Sequence, residues 1–183
     1  MRVGVFGGEF DPPHLGHLAV VRTARDQLGL DRVLVIPAAR PPHRRESRTP
    51  AEDRLRMAEL TFAGEPQVEV SRAELDREGP SYTVDTLRLL AGADELVLIV
   101  GADQDIRDWH EPDEILRLAQ LAVAPRGGDA IGGGDVTELE MEPVDLSSTR
   151  VREAIAAGGG TDAVVPAVLE LIRSHGLYGG APC

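Results

Sequence analysis

The chain has 183 residues, 42% hydrophobic, 27% charged and only 3% aromatic, which suits one domain with a core of Val, Leu, Ile and Ala rather than an aromatic-rich β sandwich. A formal net charge of −12 argues against broad binding to DNA, RNA or an anionic membrane, all of which reward a basic surface. All 19 Lys-or-Arg positions are Arg, so a cationic contact to phosphate must come from Arg or His. The single cysteine, Cys183, permits no intrachain disulfide and no cluster of Cys ligands, which fits a cytoplasmic setting. The apolar opening run breaks too soon for a signal peptide, and no stretch reaches membrane-spanning length; the sequence predicts a soluble protein.

In chain order, Val3 to Phe6 reads as a buried strand ending at Gly7-Gly8. Leu15 to Leu28 then carries helical apolar spacing, closed by Gly29. Arg32 to Pro37 is a second strand, so the opening predicts a βαβ unit with a parallel crossover. Residues 38 to 48, rich in Pro and Arg, predict an exposed irregular loop. Thr49-Pro50-Ala51-Glu52 has the form of a capping box with proline at the first helical position, starting a helix to about Phe62. Val68 to Val70 is a third strand, and after Gly79-Pro80 either Ser81 or Thr83 caps a short helix to about Leu90.

Leu96 to Val100 is a fully buried strand followed by Gly101-Ala102-Asp103. A helix from about Glu111 to Leu118 and a fifth strand from Leu121 to Ala124 follow. Gly127 to Gly134 reads as a glycine-dense flexible loop, and Val136 to Met141 as a sixth strand. Ser147 or Ser148 caps a helix to Ala157, and Ala163 to His175 forms the last one, ended by Gly176. The alternation predicts an α/β fold with a doubly wound, mostly parallel sheet. It occupies one domain, with a core over about residues 1–145 and a small C-terminal helical region over about 146–183.

Ligands of open α/β sheets lie at the carboxyl ends of strands, which directs attention to the loops after strands one, two and four. The first reads Gly7-Gly8-Glu9-Phe10-Asp11-Pro12-Pro13-His14-Leu15-Gly16-His17. Small residues let backbone approach a ligand, and His14 and His17 share one helical face at a helix N-terminus, an arrangement suited to a polyphosphate. The two histidines could also form a metal pair, but no third His, Cys or regular acidic partner sits nearby in sequence.

This constellation resembles the His-x-Gly-His motif of the nucleotidyltransferase superfamily. Pro41-Pro42-His43-Arg44, Ser81-Tyr82-Thr83-Val84-Asp85-Thr86-Leu87, Gly101-Ala102-Asp103, Trp109, Ser147-Ser148-Thr149-Arg150-Val151-Arg152 and His175-Gly176-Leu177-Tyr178 resemble, in order, the motifs of bacterial nicotinate-nucleotide adenylyltransferases. The likeness runs from Val3 to Tyr178. It implies a Rossmann-like nucleotidyltransferase fold and transfer of AMP from ATP to nicotinate mononucleotide, giving deamido-NAD and pyrophosphate without a covalent intermediate. It also implies Mg²⁺ bound with ATP; the net charge already speaks against a nucleic acid or membrane partner, and assembly into a homo-oligomer stays open.

By the same resemblance Gly7, Gly8, Phe10, His14 and His17 meet ATP, with Ser148, Thr149 and Arg152 closing on the triphosphate and Gly101 and Asp103 near the adenosine. His14, His17 and Arg152 are the catalytic set. Ser81, Tyr82, Thr83 and Trp109 receive the nicotinate nucleotide, with His43 and Arg44 near its phosphate. No protein side chain is assigned to a metal, and Arg150 is expected to face solvent. Two residues depart from the family pattern. Glu9 replaces Thr or Ser, placing a carboxylate beside a polyphosphate unless it turns away or helps hold Mg²⁺. Arg44 replaces Lys, exchanging a point charge for a planar fork. The rival readings are a phosphopantetheine adenylyltransferase or a cytidylyltransferase, which share the His-x-Gly-His opening, and a nucleotide sensor that has lost turnover.

Overall fold

The computed structural model describes residues 1–41, 49–92, 94–125, 136–159 and 161–179. Strands β1 (Arg2–Gly8), β2 (Arg32–Pro37), β3 (Val68–Val70), β4 (Glu95–Gly101), β5 (Ala119–Ala124) and β6 (Val136–Glu138) form one sheet in the order β3-β2-β1-β4-β5-β6. Every pairing among them is parallel. Helices α1 (Leu15–Leu28), α2 (Ala51–Phe62), α3 (Thr83–Leu90), α4 (Pro112–Leu118), α5 (Ser148–Ala156) and α6 (Pro166–Ser174) complete the chain, with short 3₁₀ turns at Ile106–Asp108 and Leu177–Gly179. The loop of residues 127–134 expected to be flexible lies outside the described residues, as do His43 and Arg44.

The strand period of two divides the core cleanly. On β2, Val33 and Val35 face the layer holding α1 and α2, whereas Leu34 and Ile36 face the layer of α3 and α4. On β4 the same split sends Val97 and Ile99 one way and Leu96, Leu98 and Val100 the other. Central strands apolar on both faces need cover on both faces, which is why short βα units wind in both directions from β1. The direction reverses between β1 and β4, so the crevice at their carboxyl ends is the topological switch point. A third cluster joins Val151 and Ile155 of α5 and Val168 and Ile172 of α6 to Met57 of α2, which seats the C-terminal helices on the core.

Several local expectations change. The capping box at Thr49 does not form: no side chain caps α2, and Glu52 instead receives both Nη atoms of Arg72, at 2.9 and 2.8 Å. A bidentate guanidinium is a stronger partner for a carboxylate than one backbone N–H. Thr83 opens α3 as its first residue, and Ser81 does not cap it; the Ser81 hydroxyl accepts the N–H groups of Ala39 and Arg40, each at 3.0 Å. Strand β6 stops at Glu138 rather than Met141 because its neighbour β5 ends at Ala124. Beyond that point Glu140 exchanges backbone groups with the Gln27 side chain, at 3.0 and 2.6 Å. The last helix starts at Pro166, not Ala163, since the residue before a proline is biased to extended backbone and Val165 has ψ 147°. At α5, Ser147 is the cap, its hydroxyl accepting the Arg150 N–H.

Ile172 is fully buried between α6 and α2. Ile172→Ala is expected to lower unfolding stability by about 2–5 kcal/mol, the usual range for a large-to-small core substitution. Urea denaturation should register this as a fall in midpoint with an unchanged slope.

Candidate active site

At the switch point a cavity of about 400 Å³ opens over the carboxyl ends of the central strands. Gly7, Gly8, Phe10, His14, His17, Ser81, Tyr82, Thr83, Gly101, Asp103, Trp109, Ser148, Thr149 and Arg152 all line it. Every site residue expected from the sequence and described in the structure therefore shares one cavity; His43 and Arg44 fall outside the described residues. Arg150, expected to face solvent, is exposed and paired with Asp145 at 2.7 Å.

The wall nearest β1 is built by the start of α1. His14 stands at its N-cap position and His17 three residues on, and the two rings stack with centroids 3.7 Å apart and planes 24° apart. The His14 backbone N–H donates to His17 Nδ1 at 3.1 Å. That bond requires an unprotonated Nδ1, so the proton of a neutral His17 ring sits on Nε2, where it can be donated. A Cβ on Gly16 would lie 2.9 Å from both His14 Nδ1 and Val144 Cγ1, so the His14 side chain occupies the space that any larger residue between the histidines would need. Gly7 differs: a Cβ there would meet no protein atom within 4 Å, and the space it leaves is the cavity itself.

A second wall comes from α5. Arg152 Nη1 donates to the Asp11 carbonyl at 2.6 Å and Nη2 to Thr149 Oγ1 at 3.1 Å, using two of five guanidinium donors. The Ser148 hydroxyl donates to the Pro12 carbonyl at 2.8 Å. The C-terminal region is thereby bonded to the loop that follows β1. Tyr178 adds a further tie, its hydroxyl donating to Asp11 Oδ1. Burial, followed by that bond, pushes the Tyr178 hydroxyl well above the usual phenol range, so it stays protonated and remains a donor.

The far end of the cavity holds Ser81, Tyr82, Thr83, Trp109 and His110. Trp109 packs on the core layer of α3 and α4 while facing the cavity, so its packing and binding readings are compatible. His110 lies on Tyr82 with ring centroids 4.4 Å apart. Glu74, not singled out from the sequence, and Thr86, which the sequence motif includes without a role, also line this cavity. The Thr86 hydroxyl donates to Glu74 Oε1 at 2.7 Å, and burial raises the Glu74 pKa against the opposing pull of Thr86, Ser81, Arg77 and Arg54.

Arg54 of α2 is the other residue that sequence reasoning missed. It is 1% exposed, and its guanidinium donates to four carbonyls: Glu9 at 2.7 Å, Ala38 at 2.6 Å, Ala39 at 3.3 Å and Thr49 at 3.2 Å. The only sequence signal was a charge on the apolar stripe of α2, between Leu55 and the chain start of that helix. Glu9 lines the cavity, and the Coulomb field of Arg54 reaches its carboxylate, which offsets part of the repulsion expected there. Among the described residues no group of three or more His, Cys, Asp or Glu is arranged to hold a metal ion.

The sequence pattern of the cytidylyltransferase-like family matches residues 5–154. A Thermus thermophilus protein named "Probable nicotinate-nucleotide adenylyltransferase" is 45% identical, covering 97% of this chain and all of its own 100% length. A Geobacillus thermodenitrificans protein of the same name is 40% identical over 97% of this chain and 86% of its own. In fold, the chain is similar to the nicotinic acid mononucleotide adenylyltransferase of Plasmodium falciparum solved in complex with NaAD, with a TM-score of 0.81, 98% of each chain covered and 16% identity. The match across residues 5–154, the nearly full-length relatives and a cavity at the β1/β4 switch point agree, and this chain belongs to the nicotinate-nucleotide adenylyltransferases of the cytidylyltransferase-like family.

Proposed function

We propose that the chain transfers AMP from ATP to nicotinate mononucleotide, releasing pyrophosphate and forming the deamido precursor of NAD. The observation that carries this reading is a single cavity with a stacked histidine pair and Arg152 at one end and the α3 start with Trp109 at the other. Such a cavity suits two nucleotides whose phosphates must meet between those ends. No helix among the described residues is long and apolar enough to cross a membrane. We take the cytoplasm, where ATP is abundant, as the site of reaction.

The nucleophile is the phosphate of nicotinate mononucleotide. Its second ionisation lies at about pH 6, so it is mostly a dianion at neutral pH and needs no general base. The remaining obstacle is repulsion between two anions, so catalysis reduces to alignment and charge neutralisation. His17 donates from Nε2 to a phosphoryl oxygen, oriented by the bond its Nδ1 accepts. Stacked on it, His14 stiffens that orientation and faces the same phosphates. Gly7, Gly8 and Phe10 supply close-approaching backbone, and Ser148, Thr149 and Arg152 close on the triphosphate, with Arg152 stabilising the departing pyrophosphate. Gly101 and Asp103 take the adenosine. Mg²⁺ enters as part of the substrate complex with ATP, where it spreads the triphosphate charge.

The pyridine ring stacks on Trp109, beside Ser81 and Tyr82, and its carboxylate meets the start of α3. There the Thr83 and Val84 N–H groups precede the first intrahelical bonds, which begin with Asp85 and Thr86 donating to the Tyr82 carbonyl at 3.1 and 3.3 Å. His43 and Arg44 complete the site near the mononucleotide phosphate, and the Arg for Lys exchange preserves the charge.

Pyrophosphate release measured with ATP·Mg²⁺ should be strong with nicotinate mononucleotide and absent with phosphopantetheine. Turnover of phosphopantetheine in place of the nucleotide would overturn the assignment. The kcat/KM for nicotinate mononucleotide should exceed that for its amide by at least about tenfold, as expected where a carboxylate meets unpaired N–H donors; equal values would remove the proposed carboxylate site. His17→Ala should lower kcat by roughly 10²–10³, the scale for losing one preorganised charge-stabilising donor. Near-normal turnover in that variant would show that the ring does not touch the reacting phosphate.

A further inference from the structure

Four carbonyls in the segment from Gly8 to Pro12 are held by donors from elsewhere in the chain. Gly8 C=O accepts the Ala38 N–H at 2.8 Å, Glu9 C=O accepts Arg54, Asp11 C=O accepts Arg152 and Pro12 C=O accepts the Ser148 hydroxyl. The Glu9 carbonyl is the one drawn toward a fully buried cation. In a trans peptide the C=O and the following N–H point in opposite directions. With the Glu9 carbonyl bonded to Arg54 beneath the loop, the Phe10 N–H is turned away from the guanidinium, on the side where both residues line the cavity. Phe10 has φ 52°, a left-handed conformation that a phenylalanine adopts only where its surroundings impose it, and its ring is packed between Phe6 and Phe62. The Phe10 N–H makes no hydrogen bond among the described residues.

Burying a guanidinium costs several kcal/mol unless its donors are satisfied, and here they are satisfied by backbone oxygens rather than by a bonded carboxylate. A cation held this way stays beneath the loop without a carboxylate bonded to it, and its field acts on Glu9 and Asp11. The same guanidinium grips Ala38 and Ala39, so the loops after β1 and β2 share one anchor.

We propose that Arg54 is a positioning residue for the triphosphate: by holding the Glu9 carbonyl it aims the Phe10 N–H at a phosphate oxygen of ATP. This rests on the reading that the cavity takes ATP. The proposal predicts a selective effect, because the Phe10 N–H serves one nucleotide only. Arg54→Met should raise KM for ATP by about 10–100-fold, the loss expected for one hydrogen bond to a charged group, and change KM for nicotinate mononucleotide by less than about threefold. Arg54→Lys, which can reach the Glu9 carbonyl with a single donor, should recover part of the ATP affinity. An unchanged KM for ATP in folded Arg54→Met, or equal rises for both substrates, would overturn the proposal.

Where Arg54→Met does not fold, the Phe10 amide resonance decides, followed in the full-length wild type and in Arg54→Lys during titration with inorganic tripolyphosphate. A shift in the wild type, with weaker binding in Arg54→Lys, supports the role. Equal affinity in the two proteins, or binding that leaves the Phe10 amide unmoved, overturns it. Failure of the wild type to bind tripolyphosphate at all would instead sink the ATP reading of the cavity.

Discussion

The orientation of the peptide groups between Gly8 and Pro12 is the constraint on which the site depends. A carbonyl oxygen is the negative end of its peptide dipole, and four of them are bound by Ala38, Arg54, Arg152 and Ser148. In a chain of net charge −12, these oxygens are thereby held by donors rather than left as further negative surface. The donors come from the loop after β2, from α2 and from α5. This end of the cavity is therefore complete only when three separate elements have docked against β1.

Helix starts set the two ends of the cavity. At one end α1 supplies the stacked imidazoles, and at the other α3 supplies N–H groups ahead of its first turn. Both starts lie at carboxyl ends of strands, because each βα unit of a parallel sheet delivers its helix start to that edge. The glycines of the first loop answer different demands. Gly16 makes room for the His14 ring and Val144, whereas Gly7 makes room for whatever enters the cavity. The C-terminal helices, packed on Met57 of α2 through Val168 and Ile172, carry the Ser148, Thr149 and Arg152 wall.

Much of this was legible in the linear chain. Strands β2 and β3 and helix α1 occupy the residues expected of them, because apolar period, glycine stops and strand-forming runs are properties of neighbouring residues. The histidine pair was legible for the same reason, since a spacing of three within one helix start fixes a shared face without help from the rest of the fold. Side-chain caps were less legible. Thr49 and Glu52 have the right spacing for a box, but Arg72, 20 residues away in sequence from Glu52, offers the carboxylate a better partner.

The sequence alone determined an α/β chain with a glycine turn and a paired-histidine helix start after its first strand, since composition, periodicity and local spacing carry that information. Only the tertiary structure decided that α5 bonds to the loop between β1 and α1, that Tyr178 reaches Asp11, and that Arg54 lies buried beneath the loop instead of in solvent. Those contacts join residues as far as 167 positions apart. Their formation depends on which helix each sheet face recruits for cover, and that choice is made by packing the assembled core, not by any short stretch of chain.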